Sequence, residues 1–129
     1  MSSGGAFGLE IRVMATLIKA LVDLGKEYHT ISSMRTTDGK IHTVELMTTD
    51  DSGRVIGFQK TEKGDYAVIA DCAGLSPAHK EAQDAFVKRI RQRYSYNRVI
   101  EELKEQGYVI AEEEQVQNNT IRLVARKWA

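Results

Sequence analysis

The chain has 129 residues, 18 basic and 18 acidic side chains, 42% hydrophobic residues and 28% charged ones. Those proportions describe one globular domain with enough apolar material to fold without staples. The even charge balance argues against a protein built mainly to grip phosphate backbones, and the single cysteine, Cys72, excludes an internal disulfide framework.

No apolar run approaches the roughly 20 residues that cross a bilayer, and "MSSGGAFG" lacks the regions of a signal peptide. The expectation is a cytoplasmic protein with a flexible leader over 1–8 and a single α+β domain over 9–129. Residues 6–12 (AFGLEIR) read as a short extended segment. From Val13 the pattern turns helical: Met14, Leu17, Ile18, Leu21 and Leu24 recur three and four apart. Gly25 is a natural stop, so a helix is predicted over about 12–25.

The texture then changes to strand. "EYHTISSMRTTDGKIHTVELMTT" is rich in Thr, Ile, Val and Tyr and has Asp38-Gly39 at its centre, a hairpin signal. "DDSG" (50–53) and "EKGD" (62–65) mark two further turns, flanked by "RVIGFQKT" and "YAVIADC". An antiparallel meander of about four strands is expected over 27–71, because short turns join only antiparallel neighbours.

Ser76-Pro77 opens the next helix: Ser caps free amides and Pro fits the first helical position. Its apolar stripe is Ala82, Phe86, Ile90 and Tyr94. At helical spacing the next members are Asn97 or Arg98, yet apolar residues resume at Tyr96, Val99, Ile100 and Leu103. The second stripe is rotated by roughly 110° from the first. A single helix would also be long for such a small domain. The sequence therefore predicts a break near Ser95–Asn97, then a second helix ending at Gly107. Two strands follow, "YVIAEEEQ" and "TIRLVARKW", joined by "VQNN". In the last, Ile121, Leu123 and Ala125 alternate with Arg122, Val124 and Arg126. The predicted order is β-α-β-β-β-β-α-α-β-β, an α+β fold with helices packed on one face of an antiparallel sheet.

Several stretches resemble a known family. "QRYSYNRVIEELKEQGYVIAEEE" and "NTIRLVARKW" carry a Tyr-x-Tyr pair (Tyr94, Tyr96), a Gly followed by an aromatic (Gly107, Tyr108), and an Ile-Arg-Leu-Val strand ending in Lys127 and Trp128. "LIKALVDLG" and "VIGFQKTEKGDYAVIAD", with Gly57-Phe58 and Asp71, extend the likeness over roughly 9 to 128. The chain resembles the hypothetical chloroplast open-reading-frame thirty-five family of plastids and cyanobacteria and its bacterial relatives. It departs at its start, where "GGAFG" keeps only Phe7 of a Ser-His-Phe stretch. The family is a domain of unknown function, so the resemblance implies a fold and a cytoplasmic or stromal setting, and no reaction.

Reaction motifs are scarce. Neither phosphate-binding glycine pattern is present. His29, His42, His79 and Cys72 are scattered; a metal site would need His29 and His42 to meet across the 27–48 hairpin and His79 to meet Cys72. Cys72 beside Asp71, near a helix start, is the one candidate nucleophile, and it has no predictable base. Asp50-Asp51 reads as turn chemistry and Glu112–Glu114 as a solvated strand end. No cofactor is expected.

The feature that stands out is basic. Lys88, Arg89, Arg91, Arg93 and Arg98 surround Tyr94 and Tyr96 with no acid among them, and Glu101, Glu102 and Glu105 follow. Phe86, Ile90 and Tyr94 should face the core, leaving the cations spread over the exposed arc as a solvated face. Lys88, Arg89, Arg91, Arg93, Tyr96 and Arg98 form the candidate surface for an acidic partner. The leading reading is a small non-catalytic interaction module, an accessory subunit of a larger assembly with an unidentified protein partner and no membrane. The alternative is a nucleic-acid-binding protein using the basic 88–98 segment. An enzyme built around Cys72 and Asp71 stands third, and the basic end followed by an acidic one also permits self-association.

Overall fold

The computed structural model describes residues 10–116 and 120–127. Helix α1 (Met14–Asp23) buries Leu17, Ala20 and Leu21 on one side, which is the stripe predicted for 12–25. It stops where the glycine predicts. Gly25 takes φ 73°, its N–H donates to the Val22 carbonyl, and the Lys26 N–H donates to the Leu21 carbonyl. That pair of bonds is a Schellman cap, which requires a left-handed residue at this place.

Five strands follow, one more than expected. β1 (Ser33–Arg35) and β2 (Ile41–Thr43) form a hairpin around Asp38-Gly39, with Met34 opposite His42. β3 (Leu46–Thr49), β4 (Val55–Lys60) and β5 (Tyr66–Ala70) form a separate three-stranded antiparallel meander, joined by the predicted turns. The stretch 27–48 contributes to both sheets because Val44 and Glu45 carry the chain from one to the other.

Gly57 shows how the two sheets sit. Ile56 and Phe58 point to one face of β4 and are fully buried with Leu46, Leu17 and Ile90. On the opposite face a Cβ at Gly57 would lie 2.8 Å from both Met34 Sδ and Val44 Cγ1. The β1–β2 hairpin thus presses on the meander where only a glycine leaves room, and the helices cover the other side.

The α+β class, with antiparallel sheets, stands as expected. Two details differ. First, the segment before α1 is no strand at residues 10–12, although the Ile11 carbonyl accepts from the Tyr66 N–H at 2.7 Å; residues 6–9, and the 1–8 leader, lie outside the described residues. Second, the break near Ser95–Asn97 is absent. Helix α2 (Pro77–Glu105) runs unbroken for 29 residues, about 43 Å.

The reason is that the buried face of α2 continues through polar side chains. Gln83, Phe86, Ile90, Tyr94 and Asn97 are all buried and fall three or four apart. Asn97 is the residue an apolar stripe skips, and it is buried because it donates to Asp23 Oδ2 at 3.0 Å. One turn on, Glu101 accepts from the Thr16 hydroxyl at 3.0 Å. The helix needs no kink to remain packed.

After α2 come β6 (Tyr108–Val116) and β7 (Thr120–Lys127), an antiparallel ribbon with a register irregularity between Ile110 and Glu112. Over the described residues these bounds agree with the predicted strands to within one residue; 117–119 of the predicted turn and Trp128 lie outside the described residues. The ribbon pairs with no other described strand.

Candidate functional site

α2 is set in place from its first turn. The Ser76 hydroxyl accepts from the His79 N–H at 3.2 Å, and Pro77 occupies the first turn. Further along, Phe86, Ile90 and Tyr94 enter the core as predicted. Tyr94 does more than fill space. Its hydroxyl accepts from the Arg12 and Val13 N–H groups, both at 2.9 Å. Val13 is the N-cap of α1 and has no side-chain cap bond, and the phenol from α2 takes up its N–H and that of the residue before it.

The six residues of the basic candidate surface separate into two groups. Arg93 bonds Asp23 at 3.0 Å and stacks over the Tyr96 ring at 4.6 Å. Arg98 bonds Glu101 at 2.7 Å and lies 3.6 Å from Glu102. Lys88, Arg89 and Arg91 make no ion pair with a described residue; Lys88 and Arg91 are exposed and Arg89 is half-buried. Three of the five cations thus have no ion-pair partner among the described residues, Arg93 ties α2 to Asp23 of α1, and Arg98 pairs within α2.

The fastening point is electrostatically defined. Burial pushes the Asp23 carboxyl upward, but hydrogen bonds from Asn97 and Arg93 and the charges of Arg93 and Lys19 outweigh it and hold it below the usual carboxylate value. The hydrogen bond to Glu101, working against burial, raises the Arg98 guanidinium above its already high value.

At the other end of α2 lies a polar cluster that sequence reading missed as a cluster. Asp50 does the predicted turn chemistry: Oδ1 accepts from the Ser52 N–H, the Ser52 hydroxyl and the Arg54 N–H, each at 2.9 Å. Its Oδ2 also accepts from Gln83 Nε2 at 3.1 Å, and the same nitrogen donates to the Asp71 carbonyl at 2.9 Å. Asp71 in turn accepts from the Thr37 N–H and hydroxyl at 3.1 and 2.6 Å and pairs with Arg54. Burial raises the Asp50 carboxyl and these donors more than offset it, leaving it below its ordinary value. The signal available in sequence was Gln83 at a core-facing helical position.

The scattered candidates stay apart. His42 sits opposite Met34 and reaches Thr36 Oγ1 at 3.2 Å, while His29 bridges Met47. Among the described residues no three His, Cys, Asp or Glu side chains group as metal ligands would. Cys72 is exposed, whereas Asp71 is buried and turned toward Thr37 and Arg54, so the two do not converge on one site. No helix among the described residues is long and apolar enough to cross a membrane.

The comparisons with known proteins agree with the sequence resemblance. A family model described as "Protein of unknown function (DUF1257)" matches residues 20–124. The chain belongs to the DUF1257 family. Two curated relatives of this DUF1257 chain are both described as "Uncharacterized protein ycf35". The one from Cyanophora paradoxa is 29% identical over 90 residues, covering 70% of this chain and 68% of the relative. That from Pyropia yezoensis is 26% identical over 119 residues, covering 92% and 91%. No solved structure matches. The DUF1257 match runs from the last turn of α1, at Ala20, to Val124 within β7.

Proposed function

We propose that the chain is a small non-catalytic interaction module that serves as an accessory subunit of a larger protein assembly. The observation that carries this reading is the β6–β7 ribbon, whose strands pair only with each other among the described residues. A two-stranded ribbon alone is marginal in water, and each of its outer edges offers backbone N–H and C=O groups to an added strand. Earlier on α2, the cations Lys88, Arg89 and Arg91 supply charge for an acidic partner, while Arg93 ties the helix to Asp23 of α1.

The test is size-exclusion chromatography of native host extract, with the chain followed by immunoblot before and after nuclease treatment. Elution with a larger, nuclease-resistant complex supports the module. A nuclease-sensitive complex transfers the reading to the nucleic-acid alternative. Elution of the whole pool as free chain refutes both.

A further inference from the structure

β5 carries a ladder edge that faces away from β4. The Asp71 N–H donates to the Val55 carbonyl, which sets the phase of the β4–β5 pairing. Ala67, Ile69 and Asp71 turn their backbone groups toward β4, and Tyr66, Val68 and Ala70 turn theirs outward. Tyr66 agrees with that phase, because its N–H donates to the Ile11 carbonyl at 2.7 Å. No described strand pairs with β5 on this side. The core is thinner there too. Val68 stands opposite Phe58 and Ala70 opposite Ile56; Phe58 and Ile56 are fully buried, while Val68 and Ala70 are half-buried.

Residues 10–12 meet this edge, and their direction is antiparallel. A parallel ladder through the Ile11 carbonyl needs the Val13 N–H on the Tyr66 carbonyl. The Val13 N–H is instead taken by the Tyr94 hydroxyl. Arg12 also reaches the Lys63 carbonyl at 3.0 Å and lies beside Gly64, so the chain after Ile11 runs toward the residues before Tyr66. Continued backward from Ile11 in that sense, the register sets Leu9 opposite Val68 and Phe7 opposite Ala70. The sequence suits it. Phe7, Leu9 and Ile11 alternate with Gly8, Glu10 and Arg12, and Ile11 already belongs to the core. Glu10 and Arg12 pair at 3.1 Å on the exposed side, as residues two apart do on extended backbone.

We propose that the outer edge of β5 is taken by this chain's own residues 7–9, which add a short fourth strand to the meander. In that strand Leu9 exchanges two backbone bonds with Val68, and the Phe7 carbonyl accepts from Ala70. The occupant is tethered one residue from a bond that is already made, so it competes at high effective concentration against any separate strand. It closes an apolar edge that would otherwise template pairing with another chain. The pairing is internal to one chain, so it stands whether or not the chain belongs to a larger assembly.

The experiment is NMR spectroscopy and amide hydrogen exchange on the full chain. Gly8 and Ile69 form the pair without mutual hydrogen bonds, so their Cα protons should give a strong Overhauser contact. The Val68 and Ala70 amides should be protected in the wild type. Leu9→Pro removes a donor aimed at β5, whereas Gly8→Pro removes one aimed away from it. Leu9→Pro should speed exchange at Val68 and Ala70 about tenfold or more, and Gly8→Pro should leave it within about twofold. Absence of the Gly8–Ile69 contact, unprotected Val68 and Ala70 in the wild type, or equal responses to the two prolines overturns the proposal. Protection that appears only on raising the protein concentration assigns the edge to a second copy and overturns it too.

Discussion

Tyr94→Phe isolates what the phenol of α2 does for α1. The substitution keeps the ring, which is 1% exposed, and removes an oxygen that accepts from two backbone N–H groups at 2.9 Å each. A net neutral hydrogen bond is worth about 0.5–1.5 kcal/mol, and a buried donor left unsatisfied costs about 1–3 kcal/mol. Two donors lose their partner here, but both are only partly buried, so water recovers some of the loss. The expected destabilisation is about 2 kcal/mol. In urea, with m of about 1–3 kcal/mol/M for small proteins, the midpoint should drop by about 1 M at unchanged m. Native-state hydrogen exchange should quicken first at the opening turn of α1. A loss below about 0.5 kcal/mol, with unchanged exchange there, would refute the capping role and leave Tyr94 a packing residue only.

Two further outcomes follow from the same structure. Gly57→Ala should cost about 1–3 kcal/mol, since its methyl would meet Met34 and Val44 at 2.8 Å; a thermal melt that matches wild type would show that the hairpin does not press on β4. Asp23 and Asp50 are both held below the ordinary carboxylate value. Such groups stabilise the fold above their unfolded-state pKa, and the contribution is lost as pH falls through the lower native one. Urea midpoints should therefore be flat from about pH 7 to 5 and fall below about pH 4, and Asp50→Asn should lower the neutral plateau and flatten the acid slope. An acid slope identical in wild type and Asp50→Asn would contradict the assigned bonds.

The punctuation of the fold was legible because it is local. Gly25, Asp38-Gly39, Ser76-Pro77 and Gly107 each act through their own backbone and neighbours, and each marks the boundary that the residue type predicts. The core face of Phe86, Ile90 and Tyr94 was legible from spacing alone. What escaped depended on distant partners. Asn97 reads as solvent-facing until Asp23, 74 residues away, is placed beside it. Gln83 joins a cluster with Asp50 and Asp71 only after the meander brings both turns to the helix. Without those partners the two apolar stripes of α2 look like two helices rather than two sides of one. The basic segment was visible as composition, but its division depended on Asp23, Glu101 and Glu102 holding Arg93 and Arg98.

The bond between Tyr94 and Arg12 spans 82 residues, and that separation has a consequence during synthesis. Translation adds about 5–20 residues per second, so the N-terminal helix emerges several seconds before its partner has been made. Through that interval its oily side has no native cover and its opening amides have only solvent. A nascent chain halted before residue 94 is expected to be a client for chaperones, and one released after residue 105 is expected to fold without them.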